Sequence, residues 1–228
     1  MIPVLWSGGG LVAVDKPPGV PVIPGRSAVG GPPLRATLEA QLGRPLWVVH
    51  RLDRDTSGVL LFALDAATHR AASLAFEQGL ADKRYLALVS PPLRGQLRVD
   101  AALVPARRGR MRMARPGEAG KAAVTELTPV ESFDDVALVE ARPLTGRTHQ
   151  IRVHLRHAGA PLLVDPQYGR PEPVTEERLG GASDAVVLGR TPLHAARLVL
   201  PAGDGLPAVD VRAPLPEDMA RAVALLRH

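Results

Sequence analysis

Apolar residues along this chain fall in short blocks, separated by glycine, proline and charged positions. Leu11-Val12-Ala13-Val14 predicts a strand that Asp15-Lys16-Pro17-Pro18-Gly19 stops. Gly25 to Pro33, rich in glycine and proline, reads as a mobile loop. Helical spacing returns from Leu34 to Leu42, with Gly43 beyond it as a stop. Trp47 to Leu64 reads as strand, charged turn, strand. There the run His50-Arg51-Leu52-Asp53-Arg54-Asp55-Thr56-Ser57-Gly58 sits between Trp47-Val48-Val49 and Val59-Leu60-Leu61-Phe62. Asp65 can cap a helix from Ala66 to Gln78 that Gly79 closes, with Ala72, Leu74, Ala75 and Phe76 on its apolar face.

Farther on, Lys83 to Val89 and Leu97 to Val104 each predict a strand. Ala122 to Val130 and Val136 to Arg142 alternate as antiparallel strands joined at Asp134-Asp135. Gly146 to His157 reads as a helix closing at Gly159, and Pro171 to Asp184 as an exposed loop. Short strands at Leu198 to Leu200 and Val209 to Arg212 precede a terminal helix from Pro216 to Leu226. Several strands with hairpin-length connections and a few helices argue for an α+β fold with a mixed, largely antiparallel sheet. No repeat or low-complexity linker divides the chain, so residues 1–228 are expected to form a single domain.

Composition narrows the setting. No apolar stretch approaches the roughly 20 residues that span a bilayer, and the first residues lack the charged start and long apolar run of a signal peptide. Zero cysteines exclude disulfides and thiolate metal sites, so a cytoplasmic protein is expected. Net charge is +5, carried almost wholly by arginine, since the only lysines are Lys16, Lys83 and Lys121. Such a balance suits a polyanionic partner, because neutralised phosphates release counterions. Local clustering says more: Arg107 to Arg115 holds five arginines in nine residues. Like charges at that density favour an extended exposed loop able to grip a phosphate backbone.

The charged run at residues 50–58 carries the chemistry. Burying two carboxylates and several cations among strand formers is expensive unless they are paired or used. A carboxylate that attacks carbon must be ionised, partly desolvated and held by a cation. A second dense segment, Leu144 to Leu155, offers cations. As a helix it places Gln150, Val153 and His154 on one side and His149, Arg152 and Arg156 on another, and a start near Gly146 presents backbone N–H groups to an anion. His149, His154 and His157 are spaced by five and three, which is not the i, i+4 pair of a helical zinc site, and no glutamate lies among them. No metal site is therefore expected.

Five ordered segments between Lys16 and Leu198 resemble the RluA family of pseudouridine synthases. They are the Lys-Pro loop at residues 16–19, the run around Asp53, Lys83-Arg84-Tyr85, Gly146-Arg147-Thr148-His149-Gln150-Ile151-Arg152, and Leu193-His194-Ala195. A further segment, Asp165-Pro166-Gln167-Tyr168-Gly169, resembles a family turn, although Val164 stands where the family usually has glycine. For Tyr168 itself a packed loop is the preferred reading. The resemblance implies an isomerase that acts on structured ribosomal or transfer RNA without a cofactor. It implies Asp53 as nucleophile, Arg152 as the cation pairing with it, and Tyr85 as the residue attending the uracil. Arg51 would fill the stack vacated by the flipped base, and Leu52 and Ile151 would exclude water. His50, Lys16, Arg147, His149, Arg108, Arg110 and Arg112 would face RNA. With no room ahead of Lys16 for a further RNA-binding domain, a bare catalytic domain acting as a monomer is expected. Two alternatives stay open: an RNA-binding protein of the same fold without catalysis, and a hydrolase using Asp53 and Asp55 as a carboxylate pair on one strand face.

Overall fold

A computed structural model describes residues 1–24 and 31–228, so most of the loop expected at Gly25 to Pro33 lies outside the described residues. In chain order the first elements are β1 (Val4–Gly8), β2 (Leu11–Lys16), α1 (Leu34–Leu42), β3 (Trp47–Val48), β4 (Ser57–Ala63), α2 (Ala66–Glu77) and β5 (Asp82–Val89). There follow β6 (Leu97–Asp100), β7 (Leu103–Pro105), β8 (Met111–Met113), β9 (Val124–Ser132), β10 (Ala137–Pro143) and α3 (Gln150–His157). The chain ends with β11 (Val174–Thr175), β12 (Val186–Leu188), β13 (Leu193–Leu200), β14 (Val209–Arg212) and α4 (Glu217–Leu226). The mixed, mostly antiparallel sheet with helices is the expected fold class. Among the described residues, no helix is long and apolar enough to cross a membrane. The chain divides into two compact units, residues 1–83 with 194–214 and residues 84–193 with 215–228.

The first unit is built around β4, every residue of which is buried. It pairs antiparallel with β2, and along its other edge it meets β13 in parallel at Ser57 and Gly58 and β3 at Phe62 and Ala63. β13 in turn pairs with β14. Val59, Leu61 and Ala63 on one face of β4 pack with Ala72 and Ala75 of α2 and Val209 and Val211 of β14. Gly58 is required here. Its φ is +107°, and a Cβ built on it would stand 2.3 Å from the carbonyl oxygen of Ala195. β1, which the hydrophobic pattern did not single out, forms a hairpin with β2 through Gly9 and Gly10, at φ of +51° and +77°. Two successive positive φ angles match the twist of a two-residue hairpin. Asp65 caps α2 as expected, accepting the Thr68 N–H at 2.8 Å. Leu74, expected on the apolar face of α2, is instead 44% exposed.

The second unit carries strands in the order β5-β10-β9-β6, all antiparallel neighbours. Period-two alternation gives this sheet two apolar faces. Ala87, Val139 and Ala141 on one face pack with Ile151 and Leu155 of α3. Leu88 and Leu138 on the other pack with Met219, Ala222 and Val223 of α4. Burying a leucine such as Leu155 or Leu88 contributes about 1.5–3 kcal/mol.

Four expectations need correction in this unit. Leu97 to Val104 is two strands, because the chain leaves β9 after Asp100 and Leu103 pairs with Lys121 and β8 instead. Pro171 to Asp184 is not an open loop: it holds β11 and a short turn of helix at Glu177–Leu179, with Val174 and Leu179 buried. Arg107 to Arg115 is not an extended loop but the turn and second strand of the β7–β8 hairpin. Met111 and Met113 alternate with the arginines there and pack on Leu103, Ala123, Val153 and Tyr168. Finally α3 starts at Gln150, not Gly146. The Gln150 amide oxygen accepts the Arg147 N–H and the Thr145 hydroxyl, so residues 145–149 wrap around that side chain instead of continuing the helix.

Candidate active site

In the first unit Asp53 opens a turn, its carbonyl accepting the Thr56 N–H at 3.2 Å. The turn places Asp53 and Asp55 off any common strand face, which removes the premise of the carboxylate-pair hydrolase. Two cations fix this turn to the Lys-Pro loop. The Lys16 ammonium donates to the carbonyls of Pro17, Arg54 and Thr56, each at 2.8 Å. The Arg54 guanidinium donates to the Gly19 carbonyl at 2.9 Å. Lys16 is completely buried. It therefore belongs to the scaffold of the Asp53 turn and not, as its motif suggested, to an RNA-facing surface. Asp53 is half-buried beside the buried Leu52, while Arg51 is exposed.

His50 also takes a scaffold place rather than an RNA-facing one. Its Nε2 accepts the Leu61 N–H of β4 at 3.1 Å, and its ring stacks on Phe76 of α2 at 4.6 Å between centroids. A ring nitrogen that accepts an N–H carries no proton of its own. Burial, with the nearby Lys83 ammonium, pushes the His50 pKa down to about 3, so the imidazole is neutral at physiological pH. The Leu-His-Ala segment supports the same strand. His194 Nδ1 lies 3.0 Å from the Ser57 hydroxyl, and its Nε2 lies 3.4 Å from the Ala213 carbonyl. With Nε2 as donor to that carbonyl, Nδ1 accepts the Ser57 proton.

In the second unit Tyr85 lies on β5 opposite Ala141 and packs on the cluster that contains Ile151. Arg152 is held as a fork. Nε and Nη2 donate to the two oxygens of Asp165, each at 2.8 Å, and Nη2 also donates to Gln167 at 3.1 Å. The Arg152 side chain is only 9% exposed, and its guanidinium lies 5.0 Å from the Tyr168 ring centroid. Burial pushes the Asp165 pKa up, but the Arg152 guanidinium and the Gln167 and Tyr168 N–H groups outweigh it and leave it below the usual carboxylate range. Asp165 as a partner of Arg152 was not foreseen, although its motif was noted. The signal was an aspartate opening a Pro-Gln-Tyr-Gly turn close behind an arginine-bearing helix.

Around α3 the buried polar groups are satisfied internally. Buried Gln150 donates to the Val124 carbonyl and the Thr125 hydroxyl. His154 lies 2.9 Å from the Thr125 hydroxyl and 3.3 Å from the Ala101 carbonyl, and burial lowers its pKa. Arg147 is exposed and donates to the Ala122 carbonyl at 2.9 Å. His149, at φ +55°, is half-buried with Nδ1 2.7 Å from the Tyr168 hydroxyl. Arg108 and Arg110 are exposed at the hairpin turn. Arg112 instead forms a two-pronged pair with Glu118 at 2.6 and 2.7 Å, which qualifies its expected role in gripping phosphate.

Residues 10–157 match the model of the RNA pseudouridylate synthase family. The chain is 37% identical over 99% of its length to the ribosomal large subunit pseudouridine synthase D of Nitrosomonas europaea, covering 65% of that protein. It is 32% identical over 98% of its length to the ribosomal large subunit pseudouridine synthase C of Vibrio vulnificus, covering 69% of it. It thus spans about two thirds of the length of these curated relatives. The solved structure of human RNA Pseudouridylate Synthase Domain Containing 4 superposes with a TM-score of 0.79 at 28% identity, covering 99% of this chain and 93% of that one. The chain belongs to the RNA pseudouridylate synthase family.

Proposed function

We propose that this chain converts uridine to pseudouridine in structured RNA, ribosomal RNA first and transfer RNA second, with Asp53 as the nucleophile. The observation that carries the reading is the Asp53 turn, which Lys16 pins by the backbone carbonyls on either side of Asp55 and Arg54 ties to the Gly19 carbonyl. A carboxylate that must meet a sugar carbon needs that kind of fixed backbone. The names of the large-subunit synthases among its relatives support the choice of ribosomal RNA.

In this account Asp53 opens the glycosidic bond, by attack at the anomeric carbon or by elimination. The uracil turns and carbon 5 bonds to the anomeric carbon as that carbon's bond to Asp53 breaks or, on the elimination route, as the sugar regains the proton Asp53 took. The proton lost at carbon 5 is balanced by one gained at nitrogen 1. No electrons are exchanged, and the reaction needs no cofactor. Arg152, whose guanidinium is braced by Asp165 and Gln167, is assigned the role of the cation that pairs with the nucleophile. Tyr85 attends the flipped base, and Arg51 occupies the gap it leaves in the stack. Arg108 and Arg110 contact phosphates. Pseudouridine-specific chemical mapping of RNA, with and without the gene and after treatment with purified protein, tests the assignment. New pseudouridine supports it. RNA binding without any isomerisation is the outcome expected of a non-catalytic RNA-binding protein of this fold.

A further inference from the structure

Tyr168 joins three elements of the second unit. Its hydroxyl oxygen accepts the Met111 N–H of β8 at 2.7 Å and lies 2.7 Å from His149 Nδ1, just before α3. Its ring faces the Arg152 guanidinium at 5.0 Å and stands edge-on to His149. The ring is buried among Leu103, Ala123 and Val153, with Met111 and Met113 packed against it. A phenylalanine would serve that packing equally well. The hydroxyl does something more: it reaches the backbone of Met111, which lies between Arg110 and Arg112 on the hairpin strand. The same hydroxyl is within hydrogen-bond distance of His149, a non-glycine residue held at positive φ. One side chain thus sets both the hairpin that bears the exposed arginines and the arginine already braced by Asp165.

We propose that Tyr168 is a positioning residue that couples the β7–β8 hairpin to Arg152, its hydroxyl aligning the hairpin arginines for RNA phosphates and its ring steadying the guanidinium. This rests on the reading of the chain as an RNA pseudouridine synthase. Two substitutions separate the two contacts. Tyr168→Phe removes only the hydroxyl, whereas Tyr168→Leu also removes the ring.

The test uses the full chain and an unmodified transcript of large-subunit ribosomal RNA. Affinity across a salt series is measured separately from turnover at saturating RNA. Tyr168→Phe should weaken RNA binding by roughly tenfold, equivalent to one lost hydrogen bond, and lower kcat by much less. Tyr168→Leu should show the same loss of affinity together with a further drop in kcat of about tenfold. Added to Arg108→Ala/Arg110→Ala, Tyr168→Phe should cost almost no further affinity, because both changes act through the hairpin. Wild-type affinity in Tyr168→Phe, or losses that simply add to those of the arginine changes, would overturn the coupling and leave Tyr168 a packing residue. A wild type whose RNA affinity depends on Tyr168 in this way, yet which forms no pseudouridine, would overturn the enzymatic reading alone.

Discussion

The two units hold their key residues by opposite devices. In the first, a buried ammonium grips the backbone: Lys16 donates to the carbonyls of Pro17, Arg54 and Thr56, tying the Lys-Pro loop to the Asp53 turn. In the second, a buried carboxylate grips a side chain: Asp165 takes the fork of Arg152 and closes its own turn with two backbone N–H bonds. The geometry of the two cations explains the difference. An ammonium radiates donors and suits carbonyls arriving from several directions, whereas a planar guanidinium matches one carboxylate edge. A loop is held by the first device and a helix-borne cation by the second.

The largest effect is expected where the first unit has no slack. Gly58→Ala forces a Cβ into the Ala195 carbonyl at a positive φ and should cost roughly 4 kcal/mol or more, seen as loss of soluble protein or a collapse in urea midpoint. The two devices come next. Asp165→Asn takes away the carboxylate that braces a buried guanidinium, and about 3–5 kcal/mol should be lost in urea unfolding. Lys16→Met removes the donor from three carbonyls and should cost a comparable amount, about 3 kcal/mol. Lys16→Arg should not restore the loss, because a planar fork cannot reach all three acceptors. A full rescue by arginine would break the comparison.

A smaller, pH-dependent effect belongs to the first unit. His50 has a folded pKa near 3 against an ordinary 6.5. As pH falls below about 6.5, the unfolded chain takes up a proton that the folded chain refuses, so stability present above that pH is lost progressively toward pH 3. By pH 5 this should amount to about 2 kcal/mol. Urea titrations at pH 7.5 and pH 5 should show it, and His50→Gln, which keeps an acceptor but does not titrate, should flatten that share of the slope. The smallest effect leaves stability untouched. Arg108→Ala/Arg110→Ala should make the log–log salt slope of RNA binding shallower by about 1.4–1.8, at ~0.7–0.9 per lost phosphate contact. Arg112→Ala, already paired with Glu118, should leave that slope unchanged.

Where local pattern decides structure, the chain was legible. α1 runs from Leu34 to Leu42 as the spacing predicts, β4 follows the apolar run after Gly58, and Asp65 caps α2. Partners distant in the chain were harder to read. Lys16 looked like a surface-turn lysine because the carbonyls that bury it come from residues 38 and 40 positions later. The split of β6 from β7 follows a change of pairing partner inside one continuous apolar stretch. The late start of α3 follows from one buried amide, Gln150, whose bonds to Thr145 and Arg147 outweigh the helical pattern before it. The hairpin arginines concealed a strand because the alternating methionines needed Tyr168 and Val153 to pack against. For the site, the motif residues were all visible, but which cation served as scaffold and which carboxylate braced Arg152 depended on side-chain geometry.

The central claim is that Asp53 performs the chemistry while its turn only holds it in place. Asp53→Asn preserves the shape of the side chain and removes its charge. The direct measurement is pseudouridine-specific chemical mapping of target RNA treated with the purified variant, alongside its RNA affinity. The account predicts no new pseudouridine, with affinity within a few-fold of the wild type. Appreciable pseudouridine formation by pure Asp53→Asn would contradict it.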